Sequence, residues 1–283
     1  MKHRSRSRKI VLPTVRPTLL FGIIAILFSS AFSPAVVKAD PPSGNWQEVF
    51  KDDFEGTSLD PLKWSTCYWW AWGSGCTNGG AQEIQWFQPD EVLVENGILR
   101  LRVQKRSVKA YDAGRMQTFK YTSGMVSSHN KYAFQYGYVE TRAKVPKGKG
   151  LWPTFWLSAE DRSWPPEINI VEFAGTNMQK FLMVLHYINA KGKPAYSALY
   201  WGNTDFSQDY HTYAVLWEPD KIIWYVDGVE RRRYSIMANI PQVPMYVLAT
   251  LAVGPVWANS PPDASTPFPS YFDIDYIKVW QRH

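Results

Sequence analysis

The hexapeptide EINIVE at residues 167–172 constrains the fold of this chain more than any other segment. Its alternation of polar and apolar residues predicts a β-strand with Glu167 and Asn169 on one face and the isoleucines facing a core. Glu172 lies five residues after Glu167, so a regular strand would send the two carboxylates to opposite faces. A one-residue β-bulge between Asn169 and Glu172 would return both carboxylates to the same face.

Paired carboxylates on one face of a strand are the groups with which a retaining glycosidase cleaves a glycosidic bond. That chemistry needs two carboxyl groups about 5 to 5.5 Å apart, one to attack the anomeric carbon and one to protonate the leaving oxygen. In a straight strand, four effective steps of roughly 3.3 Å would separate the two Cα atoms by about 13 Å. The hexapeptide therefore predicts a sheet that is concave on this face. The alternative is an ordinary amphipathic strand with two solvated glutamates.

Ordered sequence blocks around the hexapeptide favour the first interpretation. The upstream blocks are Tyr136-Gly137, Glu140, Arg142, Lys144, Pro146 and the segment GKGLWPTFWL at 148–157. Further blocks are DDFEG at 52–56, HTYA at 211–214 and DYIKV at 275–279. Together they resemble glycoside hydrolase family 16 over residues 46–281. In this resemblance the catalytic E-x-D-x-x-E of the family corresponds to Glu167, Asn169 and Glu172.

The resemblance implies an all-β fold, a two-sheet antiparallel β-jelly-roll sandwich of the concanavalin A-like lectin and glucanase type. It also implies retaining hydrolysis of β-glycans with no required cofactor, Glu167 being the nucleophile and Glu172 the general acid/base. The bulged spacing resembles the laminarinase-type branches, so we expect an endo-β-glucanase that cuts β-1,3- or mixed-linkage glucan by double displacement. The alternatives are a transglycosylase on the same site, a non-catalytic glycan-binding protein on the same fold, and a wall-associated structural protein.

Asn169 departs from the family pattern, which has an Asp at this position. An ionised Asp disfavours the charged form of neighbouring carboxyl groups, whereas Asn keeps a hydrogen bond and loses the charge. We expect its amide to donate to Glu167 and the missing charge to ease deprotonation of Glu172. The expected result is an active enzyme with an altered or more acidic pH optimum, and the alternative is a decayed catalyst.

Residues 1–39 have the pattern of a secretory signal peptide. A basic segment is followed by an apolar stretch at 19–32 and by the small-residue cleavage site VKA at 37–39. The apolar stretch of about 14 residues is shorter than the roughly 20 that a spanning helix needs, although an uncleaved membrane anchor is the alternative. We therefore expect a secreted protein with no membrane association once the leader is removed.

Net charge limits the partners of the exported part. The leader holds seven Lys or Arg and no acidic residue, so the net charge of +6 becomes 6 − 7 = −1 for residues 40–283. A nearly neutral surface argues against nucleic acid or anionic lipid and fits an uncharged polysaccharide. Residues 40–283 have the length of a single catalytic domain, and we expect a monomer.

The chain has only two cysteines, Cys67 and Cys76, both in the exported part. In an oxidising compartment we expect them to form a disulfide that closes a small loop, with a pair of free structural thiols as the alternative. Aromatic residues are concentrated in and after this loop. We predict sugar-binding contacts at six ring-bearing positions, for each of which a structural role in the core is the alternative: Trp70, Trp72, Trp152, Trp156, Trp257 and His186.

A metal centre has little support in the sequence. Two cysteines and five histidines give no zinc-binding spacing. Asp275 matches a family position that can help to hold a structural calcium ion, but one carboxylate is far from the six or more oxygen ligands that calcium takes. Calcium at Asp275 is therefore a possible structural addition and not a required cofactor.

Short apolar runs between turn signals fill the rest of the chain and fit a two-sheet sandwich. The predicted strands are 92–94, 98–104, 124–128, 136–144, 181–187, 213–217, 221–226, 229–234 and 271–281.

Overall fold

The computed structural model describes residues 41–70, 76–254 and 261–283. The predicted leader, Trp72 and Trp257 lie outside the described residues. Within these ranges, no helix is both long enough and apolar enough to cross a membrane.

The described residues form eighteen β-strands and three short 3-10 turns, at Gly79–Ala81, Pro89–Glu91 and Met237–Asn239. The strands are β1 Trp46–Asp52, β2 Gln85–Phe87, β3 Val92–Glu95, β4 Ile98–Val103, β5 Val108–Asp112, β6 Arg115–Phe119, β7 Tyr121–Ser123, β8 Met125–Ser127, β9 Gly137–Lys144, β10 Leu151–Ala159, β11 Glu167–Glu172, β12 Phe181–Ile188, β13 Pro194–Trp201, β14 His211–Glu218, β15 Lys221–Val226, β16 Val229–Tyr234, β17 Met245–Val253 and β18 Ser270–Arg282.

Two large antiparallel sheets face each other across one hydrophobic core. The eight-stranded sheet has the order β16-β15-β14-β9-β18-β4-β3, with β1 paired to β18, and the six-stranded sheet has the order β13-β12-β11-β10-β17-β8. Two pairs, β2-β7 and β5-β6, form small additional sheets. The architecture confirms the all-β jelly-roll sandwich expected from the sequence.

Strand β17 shows why the six-stranded sheet can carry a site on its outer face. Its odd-numbered residues from Met245 to Val253 belong to the core between the sheets. Tyr246 and Leu248, on the opposite face, pack in a second cluster with Tyr68. Side chains of residues 67–70 and of Cys76 therefore cover Tyr246 and Leu248 on this face. All nine residues of β17 are buried.

All ten predicted strands are present, β11 among them, with ends that differ by at most two residues. Four of the unpredicted strands, β5, β6, β13 and β17, lack the alternation of apolar and polar residues that marks a strand in sequence. Strand β13 lies at the edge of its sheet and has mostly exposed or half-exposed residues, so its sequence has little hydrophobic alternation. The hairpin β5-β6 is similarly exposed, whereas β17 is apolar on both faces and has no period of two to detect.

Candidate active site

The predicted bulge is present in β11. Val171 pairs with Phe155 of β10 and Asn169 pairs with Trp156, which leaves Ile170 as one extra residue. The ladder between β11 and β12 contains the same one-residue shift. Such an insertion changes the alternation of side chains between the two faces of a strand.

The bulge places the polar and the aliphatic residues of β11 on different faces of the strand. Glu167, Asn169 and Glu172 all line one cleft of about 660 Å³. Both isoleucines and the valine between these polar residues belong to the core. The bulge therefore brings both carboxylates to one face without exposing an aliphatic side chain.

An indole from the opposite sheet satisfies a backbone group of the bulge. Trp224 of β15 is fully buried, and its Nε1 donates a hydrogen bond of 3.0 Å to the carbonyl oxygen of Asn169. A buried carbonyl left without a partner costs about 1–3 kcal/mol. Trp224 thus stabilises the irregular backbone directly beneath the carboxylates.

Both carboxylate oxygens of Glu172 have a donor. Trp152 Nε1 donates to Oε1 at 3.0 Å, and Asn169 Nδ2 donates to Oε2 at 3.1 Å. The residue is only 6 % exposed. These two bonds fix the orientation of the carboxyl group at the bottom of the cleft.

Glu167 has a different environment. Its Oε2 accepts a hydrogen bond of 2.9 Å from Trp164 Nε1, and its Oε1 lies 3.6 Å from His186 Nε2. Burial raises the pKa of Glu167, while hydrogen bonds from Trp164 and Asn169 act in the opposite direction. Burial also lowers the pKa of His186, although the negative charge of Glu172 opposes this shift. The neutral imidazole is therefore the favoured form beside Glu167 at neutral pH.

Asn169 contacts both members of the acid pair. A hydrogen bond from its side chain acts to lower the pKa of Glu167, as expected from the sequence. A second contact, which the sequence did not predict, is the donation from its Nδ2 to Glu172 Oε2 at 3.1 Å. Its Oδ1 is buried and has no hydrogen-bond partner.

The cleft wall contains three of the predicted tryptophans, Trp70, Trp152 and Trp156. The Trp70 ring stacks on Tyr68 with centroids 4.4 Å apart and meets the edge of Trp156 at 6.0 Å. Trp156 is only 8 % exposed and belongs to a buried cluster. The alternative of a structural role in the core therefore fits Trp156. The half-buried Trp70 and Trp152 present more of their surface to the cleft.

The cysteines form the expected disulfide, Cys67–Cys76, with Cα atoms 4.6 Å apart. The bond closes the loop from which Tyr68 and Trp70 reach the cleft. Both cysteines are half-buried and pack against the same aromatic cluster. The disulfide thus restricts the backbone that positions the aromatic wall.

Sequence reasoning missed a third carboxyl group that lines the cleft, that of the buried Glu83. Glu83 accepts hydrogen bonds from Tyr68 Oη at 2.9 Å and from Gln85 Nε2 at 2.6 Å. Burial raises the pKa of Glu83 to about 7. Glu83 precedes β2 and has no carboxylate partner in sequence, so no spacing signal could have identified it.

Sequence reasoning also left Trp164 without a role. It is three residues before Glu167, close enough for its indole to reach back to the carboxylate. The short spacing was the available signal, but an indole before two prolines is equally compatible with an exposed turn.

Asp275 lies in an ion pair and not in a group of metal ligands. Arg142 Nη1 is 2.7 Å from its Oδ2, so a guanidinium already neutralises the carboxylate. Among the described residues there is no group of three or more His, Cys, Asp or Glu side chains that could hold a metal ion. The predicted structural calcium is not supported.

Comparisons with known proteins agree with this geometry. The family model described as "Glycosyl hydrolases family 16" matches residues 69–278. The catalytic domain of an endo-1,3-beta-glucanase (laminarinase) from Thermotoga petrophila RKU-1 is similar with a TM-score of 0.70 and 29% identity, over 85% of this chain and 99% of that one. The endo-beta-1,3-glucanase of Pyrococcus furiosus is similar with a TM-score of 0.69 and 32% identity, over 83% and 94%.

A curated relative, the endo-1,3-1,4-beta-glycanase EglC of Rhizobium meliloti (strain 1021), is 32% identical over 247 residues. The match covers 82% of this chain and 51% of the relative, so the chain spans about half the length of that protein. The fold and its outer cleft define a β-sandwich of the glycan-active type. The chain belongs to glycosyl hydrolase family 16.

The hydrogen bond beneath the bulge gives a stability prediction. Replacing Trp224→Phe keeps most of the ring but leaves the Asn169 carbonyl without its donor, so the free energy of unfolding should fall by about 1–3 kcal/mol. Urea denaturation measures this change. Trp217→Phe is the matched control, because Trp217 is equally buried and donates to the carbonyl of Pro241 at 3.1 Å, away from β11.

Both variants should lose stability by similar amounts. Only Trp224→Phe should change the backbone amide resonances of β11 in an NMR spectrum of the folded protein. If Trp217→Phe changed the amide resonances of β11 to the same extent, the change would not be specific to the Trp224 hydrogen bond, and the bulge would not depend on it.

Proposed function

We propose that this protein is an endo-acting β-glucanase that hydrolyses β-1,3- or mixed-linkage β-1,3-1,4-glucan with retention of configuration. The observation that carries the proposal is the bulged strand that brings Glu167 and Glu172 to one cleft. Relatives named as an endo-1,3-1,4-beta-glycanase and as an endo-1,3-beta-glucanase support the substrate class. No observation on the described residues favours a transglycosylase, a pure binder or a structural protein.

In the first step Glu167 attacks the anomeric carbon as the glycosidic C–O bond breaks. Glu172 gives its proton to the departing oxygen, so the leaving chain is released as an alcohol and Glu172 becomes a carboxylate. In the second step this carboxylate takes a proton from water. The resulting hydroxyl attacks the anomeric carbon and displaces Glu167, which restores both residues to their starting states.

The surroundings of Glu167 suit its proposed role as the nucleophile. Trp164 offers Glu167 a donor, which supports the charged form that a nucleophile needs. Neutral His186 adds no competing positive charge beside it. The proposed nucleophile is thus partly desolvated and yet keeps a hydrogen bond.

Asn169 can serve Glu172 in both of its protonation states. With Nδ2 towards Oε2, the amide donates to the carboxylate form. A half-turn of the amide group exchanges Nδ2 with the unpartnered Oδ1, which can then accept the proton of the acid form. An ionised Asp could only accept. Asn169 is therefore compatible with an acid/base that changes protonation in every cycle, and we propose that it is not the mark of a decayed catalyst.

Substitution of the two glutamates tests the reaction. We expect new reducing ends from laminarin or mixed-linkage glucan, with agarose and succinoglycan tested beside them as comparison polymers. Glu172→Ala should lower kcat by about 10²–10⁴-fold, the usual contribution of a positioned general acid/base, and Glu167→Ala should abolish turnover. Glu230→Ala, a change of an exposed glutamate on β16, is the control and should retain full activity.

Azide distinguishes the two roles with a dinitrophenyl β-glucoside, whose leaving group needs no proton. With Glu172→Ala, azide should displace Glu167 from the intermediate and give a β-glycosyl azide. With Glu167→Ala, azide should attack the substrate directly and give the α-glycosyl azide. The opposite pattern would reverse the assigned roles, and activity in both alanine variants without azide would contradict the mechanism.

Asn169→Asp tests the effect of charge beside the pair. A carboxylate at this position disfavours ionisation of its neighbours, so Glu167 should ionise and Glu172 should lose its proton at higher pH. Both limbs of the profile of kcat/KM against pH should therefore move to higher pH. Asn169→Ala, which removes the amide without adding charge, is the control for lost hydrogen bonding. An unchanged profile in Asn169→Asp would show that residue 169 does not tune the pair.

We also propose that residues 1–39 direct export and are removed, leaving residues 40–283 as one catalytic domain. The Cys67–Cys76 disulfide supports an oxidising destination. Expression of the full chain in a secreting host should release protein whose amino terminus is Asp40, as read by mass spectrometry. Retention of residues 1–39 in the cell membrane would instead identify an anchor.

A further inference from the structure

Exposed aromatic side chains are concentrated at one end of the cleft face. Four aromatic residues of the described chain are largely exposed, namely Tyr111, Trp164, Tyr196 and Tyr200. Tyr111 lies on the small β5-β6 hairpin. The other three lie beside Glu167 or on β13, the edge strand of the sheet that carries the carboxylates.

The strand register places Tyr196 and Tyr200 on the carboxylate face. Across the ladders, Glu167 is level with His186 and then Tyr196. By the same pairings, Glu172 is level with Leu182 and then Tyr200. Directly paired residues of neighbouring strands project from the same face. Each carboxylate is therefore the first member of a row that ends in an exposed tyrosine.

The row between them has only small or aliphatic side chains on strands β12 and β13. Asn169 is level with Val184 and then with the exposed Ala198. Tyr196 and Tyr200 are four residues apart, or roughly 13 Å along an extended strand. The register therefore places the three rows side by side as a strip, here called the trough, which begins at the acid pair and ends with a tyrosine on either side of the small Ala198. Lys180 Nζ lies 4.9 Å from the centroid of the Tyr200 ring.

Aromatic rings follow the row that starts at Glu167, from Trp164 beside that carboxylate to Tyr196 on β13. Trp164 and His186 have centroids 5.7 Å apart, and His186 and Tyr196 have centroids 5.9 Å apart. Strand β13 is two strand spacings from β11, or roughly 10 Å. That distance is similar to the length of two linked pyranose rings.

We propose that Tyr196 and Tyr200 bind the β-glucan chain beyond the scissile bond, as aromatic side walls of additional sugar subsites on β12 and β13. The proposal rests on the function proposed above. Continuity of the trough with the carboxylates identifies the occupant as the same polymer. Pyranose C–H faces pack on aromatic rings, whereas natural edge strands are commonly protected by charged residues and not by exposed tyrosines.

Binding to an inactive enzyme tests this inference separately from catalysis. In the Glu167→Gln background, Tyr196→Ala and Tyr200→Ala should each weaken affinity for a long laminarin or mixed-linkage oligosaccharide by roughly 2- to 10-fold. Affinity for a disaccharide, which is too short to fill the cleft and the trough together, should change less. Isothermal titration calorimetry measures both affinities.

Two controls separate ring stacking from general damage. Tyr111→Ala removes an equally exposed tyrosine from the β5-β6 hairpin and should leave both affinities unchanged. Tyr196→Phe keeps the ring and should retain most of the affinity for the long chain.

The results also distinguish this inference from the proposed function and from self-association. Normal long-chain affinity in both alanine variants, with hydrolysis by the parent enzyme intact, would overturn the subsites and leave the β-glucanase standing. Absence of hydrolysis together with tyrosine-dependent binding would overturn the enzyme and leave a glycan-binding trough. Sedimentation that shows a parent dimer abolished by Tyr200→Ala, with unchanged glycan affinity, would assign the surface to a second copy of the chain.

Discussion

The extra residue at Ile170 is the constraint on which the site depends. Side chains of a regular strand alternate between its two faces. Glu172 lies five positions after Glu167, which is an odd number of steps, so a regular strand would place the two carboxylates on opposite faces. The bulge removes this conflict and leaves the neighbouring aliphatic residues in the core. Its cost is an irregular backbone, and the indole of Trp224 supplies a donor for the Asn169 carbonyl from the opposite sheet. The position of the carboxylates is therefore linked to the core that joins the two sheets.

Sequence periodicity was sufficient for this part of the molecule because the parity conflict appears in the residues themselves. The same reasoning could not find β13, whose exposed edge position removes the apolar alternation that marks a strand. It also assigned Trp152 a sugar contact without anticipating the hydrogen bond to Glu172. Donors and acceptors from distant strands meet only through the register of the sheet, and a single sequence does not contain that register.

Asn169 shows the limit of reasoning from one substitution. Comparison with the Asp of the family identified the lost charge and a hydrogen bond from Asn169 to Glu167, which contributes to the pKa of that residue. It did not predict the additional donation to Glu172, because the positions of the two side chains on their shared face are set by the folded strand. Glu83 illustrates the complementary case, since a single buried carboxyl with Tyr and Gln partners has no pattern in sequence.

The two carboxylates are not equivalent, and the difference follows from where their donors lie. Trp164 is 58% exposed, so water competes for its hydrogen bond to Glu167 until another molecule covers the ring. Glu172 instead has a donor from the buried Asn169 and one from Trp152 within the wall. A sugar chain that covers Trp164 would exclude this water and strengthen the bond to Glu167. Substrate binding would thereby stabilise the charged form of the proposed nucleophile, while Glu172 keeps an orientation that the protein has already set.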